Sequence, residues 1–297
     1  MLRIAQRSKC KIHHLLFANN YSCGLLSLAY MKKSKKIYVI TNSVTLAVML
    51  WANIAANAGW LFRQTVADVS HKYDTLFAPA GYAFIIWGFL FFMCICFVVF
   101  QWILLKENDP HNYIRLTGIW FSLSNISNAA WLYCWINEML GCTVVIICFL
   151  LICLIILSKK LRLELDDEPV RTILFVWWPV TFYLGWIMVA VIACISAWLV
   201  SIGWEGGSLP SNAWTIILIA VACFLYLILI FKRNMREAAA VGVWAFIAIS
   251  VRQWHLHFDI AVAALIASLI LITVSAIHVN KNRYYVIRAK LKRGEWK

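Results

Sequence analysis

The stretch from Leu76 to Phe92, LFAPAGYAFIIWGFLFF, passes from a polar loop through Pro79 and Gly81 into an unbroken apolar run. Proline and glycine mark a turn, and a run of this length and composition is a helix suited to lipid, so a membrane boundary falls near residue 81. Trp87 lies inside that helix, where leucine would serve lipid equally well and an indole N–H without a partner is costly. Its presence asks for a second explanation.

The rest of the chain has the same character. Hydrophobic residues make up 63% of the 297 and charged residues only 13%, which excludes a soluble globule. The fold class read from this composition is all-α, a polytopic transmembrane helical bundle. Spans of about 20 apolar residues fall at 37–60, 81–105, 115–136, 139–158, 172–200, 213–231, 237–253 and 259–278, the seventh being the shortest. With eight spans, all lysines and arginines except Arg63, Lys72 and Arg252 fall at one end of the bundle. Basic residues beside spans are retained in the cytoplasm, so both the N- and C-termini are expected to be cytoplasmic. The net charge of +14 is then a topology signal. No basic patch has a soluble domain to display it, which argues against nucleic acid as a partner.

Residues 1–36 form a basic N-terminal segment. Its first 30 residues are free of acid and similar in composition to a transit peptide, while Met31 followed by KKSKKIYVI reads as a natural start to the first span. Residues 1–30 are therefore expected to be dispensable. The tail 280–297 is a basic cytoplasmic segment suited to an anionic leaflet, and KKLRLELDDEPVR reads as a solvated inner connector. The ten cysteines lie mostly within apolar segments and read as small packing residues. No acidic residue lies deep in a span, the usual mark of an ion pathway, and no nucleotide or nucleophile motif is present.

Sixteen tryptophans exceed what interfacial belts require. Trp60, Trp135, Trp204, Trp214 and Trp254 suit the outer interface, and Trp102, Trp177 and Trp178 the inner. Trp51, Trp87, Trp131, Trp186 and Trp244 lie inside spans and are expected in the bundle interior, where their N–H groups find partners. In the third span Thr117, Trp120, Ser124, Ser127, Asn128 and Trp131 follow helical spacing along one face. The first span offers Asn53, Asn57 and Trp60. Small and polar residues also glue membrane helices together, but amides combined with large rings point to a pocket, since rings hold backbones apart.

These motifs resemble the tryptophan-rich sensory protein family, the TspO and mitochondrial benzodiazepine receptor relatives. Pro79 and Trp87 keep the family's turn-to-tryptophan spacing, Asn128 and Trp131 match its Asn-x-x-Trp, and YLGW at Tyr183–Trp186 followed by Ala190 matches its fifth helix. The sequence departs from the pattern in having a single proline in LFAP, Phe182 in place of a proline, and Cys194 in place of an asparagine. The resemblance implies a TspO-like five-helix core over 37–200, followed by three additional transmembrane helices over 201–279. It also implies a pocket for a porphyrin or haem-like ligand, a flat hydrophobic small molecule rather than a fixed cofactor, covered by the loop between the first two spans.

The ligand-binding residues expected on this basis are Asn53, Asn57, Pro79, Trp87, Ser124, Asn128, Trp131, Tyr183 and Trp186, in the outer half of the bundle. The function expected is sensing or transport by a multi-pass protein of a plasma membrane of bacterial inner type. Its partners would be membrane lipids and the ligand itself, with a homodimer left open by the small residues along three helices. Two enzymatic alternatives stand beside this: slow oxidative breakdown of a bound porphyrin through Trp87 and Trp131, and a lipid hydrolase using RQWHLHFD. In the latter, His255 and His257 are two residues apart and point to different sides of a helix, so no metal site is expected there.

Overall fold

The computed structural model describes residues 33–60, 64–107, 109, 111–204, 206–282 and 287–296. The expectations for residues 1–30, and for Arg63, lie outside the described residues. Eight long helices cross the bundle: α1 (Lys33–Asn57), α3 (Gly81–Lys106), α5 (Trp120–Ile136), α6 (Leu140–Lys160), α7 (Val170–Ser201), α8 (Ser211–Arg233), α9 (Arg236–Gln253) and α10 (Phe258–Lys281). Three short ones complete the set: α2 (Val66–Lys72) in the first outer loop, α4 (Tyr113–Thr117) and α11 (Ile287–Lys292). No strand occurs among the described residues. The protein is an all-helical, multi-pass membrane bundle.

Six of the eight long helices are long and apolar enough to span a bilayer by themselves. The exceptions, α5 and α9, are the shortest, at 17 and 18 residues. Both are shielded by neighbours: Ala238, Ala245, Phe246 and Ile249 of α9 are fully buried, against α7, α8 and α10. A helix covered by other helices has no need of an apolar surface all round, which explains the weak hydropathy of the seventh span.

Polar side chains lace α1 to its neighbours. Asn42 donates to Gln101 of α3 at 2.9 Å and accepts from Ser122 of α5 at 2.6 Å, while Asn53 donates to Asn128 at 2.9 Å. Hydrogen bonds between membrane helices contribute about 0.6 to 2 kcal/mol each. The third span is broken: Gly118, at φ +51°, ends α4 and separates Thr117 from the helical face that starts at Trp120. In α7 a π-helical turn, Ile173–Trp177, stands just before Pro179. Proline cannot donate to the carbonyl four residues back and crowds it; the widened turn relieves that conflict without ending the helix.

The helix α7 also carries the seam between the two parts of the bundle. A Cβ at Gly185 would stand 2.9 Å from the Ala238 carbonyl oxygen of α9, so only glycine permits this approach. Tyr226 of α8 donates its hydroxyl to the Gly185 carbonyl at 2.7 Å. The later helices are thus packed against the α7 motif helix, and Gly185 serves a contact within one chain.

Several expectations need correction here. Trp51 is 56% exposed: Met49, Asn53 and Ala56 turn the opposite face of α1 inward, and lipid takes the tryptophan. Trp135 and Trp177, expected at the interfaces, are 6% and 2% exposed. The connector after α6 is not merely solvated, since Leu161 and Leu163 are buried and the Glu164 carbonyl accepts from Asn234 at 2.9 Å. In the tail, Lys290 is buried and paired with Asp167 and Glu295, so α11 docks on that connector.

Candidate ligand-binding site

Trp87 enters the bundle because α3 begins as a tight 3₁₀ turn at Gly81–Ile85, one turn below the Pro79 bend. Its ring lies 6.3 Å from that of Trp131 on α5, the planes tilted by 29°. The Trp186 ring of α7 stands nearly perpendicular to it at 6.2 Å, and Tyr183 meets it edge-on at 6.3 Å. Trp135, one turn beyond Trp131, continues the stack at 5.7 Å and 22°. Offset and edge-on arrangements of this kind are the favoured geometries for aromatic pairs.

These rings border two adjoining cavities in the outer half. The larger, of about 240 Å³, reaches Asn53, Asn57, Pro79, Trp87, Trp131 and, at its mouth, His71 and Arg252. The smaller, about 60 Å³, lies along α7 beside Trp135, Trp186, Ala190 and Cys194 and reaches Val66 and Tyr73 of the outer loop. Trp87, Trp131 and Pro79 line both. The surroundings are apolar and aromatic with a few polar atoms, the usual make-up of a small-molecule site.

The polar atoms differ in how they are satisfied. Asn57 donates back to the Asn53 carbonyl at 2.8 Å, and Trp131 donates to Cys194 Sγ at 3.4 Å. Trp186 is 3% exposed, yet its N–H has no acceptor. The Asn128 amide nitrogen and the Tyr183 hydroxyl, both buried, face one another without reaching hydrogen-bonding geometry. Unpaired buried donors cost roughly 1–3 kcal/mol each, so an acceptor placed among them would be favoured. Ser124 is buried but turned back onto the Phe121 carbonyl at 2.8 Å, and lines neither cavity.

A fold of the outer loop covers the larger cavity. Thr65 caps α2 and shares a reciprocal capping box with Asp68. Val66 accepts from the Trp135 indole N–H at 3.1 Å. Glu138 accepts from Lys72 at 2.5 Å and Tyr73 at 2.7 Å at the far end of α2, and from Gln64 ahead of the helix at 3.2 Å. These donors hold its carboxyl down to about 2, the Lys72 hydrogen bond being the largest influence. The next segment is strapped to α9: Arg252 pairs with Asp74 and donates to the Ala78 carbonyl at 3.1 Å, and Gln253 donates to the Leu76 carbonyl at 2.8 Å. Trp244, though 36% exposed, donates to the Ala83 carbonyl at 3.2 Å.

A family model described as TSPO-like protein matches residues 39–277. The chain belongs to this family. The match runs through α8, α9 and α10 as well as the earlier helices, and the chain matches no curated protein and no solved structure. Of the family motif residues, Pro79, Trp87, Trp131, Trp186 and Ala190 meet around one space, Tyr183 backs Trp87, and Asn128 is tied to Asn53.

Sequence reasoning missed Trp135, Cys194 as a wall residue, and Arg252. The signal for Arg252 was present: it is one of three basic residues at the outer end, against the charge rule. Two of those three, Lys72 and Arg252, fasten the outer loop. RQWHLHFD gathers no metal set among the described residues, and Asp259 there accepts from Asn212 at 3.0 Å.

Proposed function

We propose that this TSPO-like membrane protein binds a flat, hydrophobic, anionic ring system of the tetrapyrrole class beneath the outer loop, and acts as its sensor or carrier in a bacterial inner membrane. The observation that carries the reading is the tryptophan-walled double cavity, one of whose wall residues, Trp186, has a buried N–H without a partner. Indole faces stack on a flat ring, the indole and amide N–H groups meet its polar atoms, and His71 with Arg252 at the mouth suits carboxylate substituents. The larger compartment, about 240 Å³, is smaller than the roughly 300–1,000 Å³ of small-molecule pockets. A tetrapyrrole would therefore join the two compartments and displace part of the cover, which makes the outer loop the moving element.

The alternative is slow oxidative breakdown of the bound ring, since Trp87 and Trp131 are stacked on one another and both line the two compartments. Incubation of the nanodisc-embedded protein with protoporphyrin, in darkness and in light, separates the two. Retention of unchanged pigment through gel filtration fits binding. Light-dependent product lost in Trp131→Phe would transfer the reading to the enzyme, and no retention at all would end both.

A further inference from the structure

The inner end of the bundle holds a second polar chamber that the outer site does not use. The connector after α6 folds inward at Glu164, which adopts φ +59° and is pinned through its carbonyl by Asn234. Arg236 and Glu237 open α9 beside it. Glu164, Asn234 and Arg236, together with Trp177, His278, Asn282 and Lys290, border a cavity of about 500 Å³. A neighbouring one of about 320 Å³ shares Glu164 and Arg236 and extends to Trp178, Glu237, Ala240 and Val279. Ala240 is exposed, so this second compartment reaches the outside of the bundle near its inner end.

The unpartnered atoms here are of both kinds. Trp177 is 2% exposed, and its indole N–H, that of Trp178 and Arg236 Nε are buried donors without acceptors. Glu164 Oε1 and Glu237 Oε2 are buried acceptors without donors. The nearby Asp166 and Asp167 are already taken by Arg162 and Lys290. Burial, reinforced by the neighbouring Glu237 and opposed by Arg236, pushes the Glu164 carboxyl up to about 8, as removal from water does to a charged group.

An anion alone would satisfy the three N–H groups and face two carboxyls. A cation alone would satisfy the carboxyls and face a guanidinium. Charge complementarity on both sides requires one molecule carrying an ammonium beside an oxyanion. We propose that this inner chamber binds a primary amine–phosphate zwitterion of the phosphoethanolamine type, its ammonium at Glu164 and Glu237 and its phosphate at Arg236 and the Trp177 and Trp178 N–H groups. The source is either a lipid headgroup or the free compound.

The test uses the full chain in nanodiscs of phosphatidylglycerol, to which phosphatidylethanolamine, phosphatidylcholine or soluble phosphoethanolamine is added, with bound lipid read by native mass spectrometry and thermal stability by scanning. Saturable retention of phosphatidylethanolamine over phosphatidylcholine, weakened at least tenfold in Glu164→Gln and Arg236→Gln, supports the proposal with a lipid source. The same variant-sensitive response to soluble phosphoethanolamine supports it with a free source. Equal retention of all lipids, or retention unchanged in both variants, overturns it. Because a variant could lose binding by misfolding, Lys159→Gln, an exposed change at the same end, and an unliganded melting temperature for each variant serve as controls.

Discussion

Trp135 donates its indole N–H to the Val66 carbonyl across 3.1 Å, so one wall of the tryptophan cavity is also a fastener of the loop that covers it. Ligand entry and cover movement are thereby coupled: the ring cannot shift without releasing α2, and α2 cannot lift without leaving a buried N–H unpaired.

Trp135→Phe keeps the aromatic surface and removes that bond. Amide hydrogen exchange over residues 64–73 is expected to accelerate about tenfold, corresponding to a loss near 1.4 kcal/mol, with exchange in α7 unchanged. Uniform acceleration through the bundle would mean that the residue acts on global stability instead.

Glu138 sets the pH behaviour of the same loop. Its carboxyl lies near 2 in the folded protein against an ordinary 4.5. A depressed value stabilises above the unfolded pKa and is lost as pH falls through the folded one. Protection of the cover amides, relative to their intrinsic exchange rates, is therefore expected to be flat from pH 8 to 5 and to fall only below about 4.5, while Glu138→Gln shows the weaker protection at every pH. A loss of protection already between pH 7 and 5 would contradict this assignment.

The α7–α9 seam predicts a sharp size limit. At Gly185, alanine would press its Cβ against the Ala238 backbone at 2.9 Å, a contact that cannot be relieved by a side-chain rotation. Gly185→Ala is expected to destabilise by roughly 1–3 kcal/mol, whereas Gly88→Ala, with open space around it, is expected to be neutral or slightly stabilising. Thermal unfolding in one detergent compares the two directly.

Asn53 and Asn128 lie 75 residues apart in sequence and meet at 2.9 Å. A double-mutant cycle with Asn53→Ala and Asn128→Ala is expected to give a coupling of about 0.6 to 2 kcal/mol. Additive losses would mean that Asn128 serves the ligand more than the helix contact.

The helix order and the inward turn of Trp87, Trp131 and Trp186 were legible because hydropathy and helical spacing are local properties of the chain. Trp135 was legible in principle, since it stands one turn from Trp131 on the same face, but an interfacial position explains a tryptophan at a span end equally well until a neighbour is known. The loop was expected as a cover, but its fastenings were not legible: Glu138 reaches residues 64–73, and Arg252 reaches Asp74 and Ala78, across separations that no local pattern encodes. Ser124 shows the opposite error. Its spacing matches the polar face, but a serine in a helix can satisfy itself on a carbonyl three residues back, as it does here. The inner chamber escaped notice because Glu164 sits in a charged stretch whose simplest reading is solvent, and only the packing of α9 against the connector buries it.

Titration of the protein in nanodiscs with protoporphyrin, following tryptophan quenching in wild type, Trp87→Phe, Trp131→Phe and the lipid-facing Trp51→Phe, tests the central claim most directly. Saturable quenching at one site per chain, weakened about tenfold or more (1.4 kcal/mol) in the Trp87 and Trp131 variants and unchanged in Trp51→Phe, is the predicted result. Quenching that rises without saturation, or that responds alike to all three substitutions, would contradict it and leave the outer tryptophans as packing.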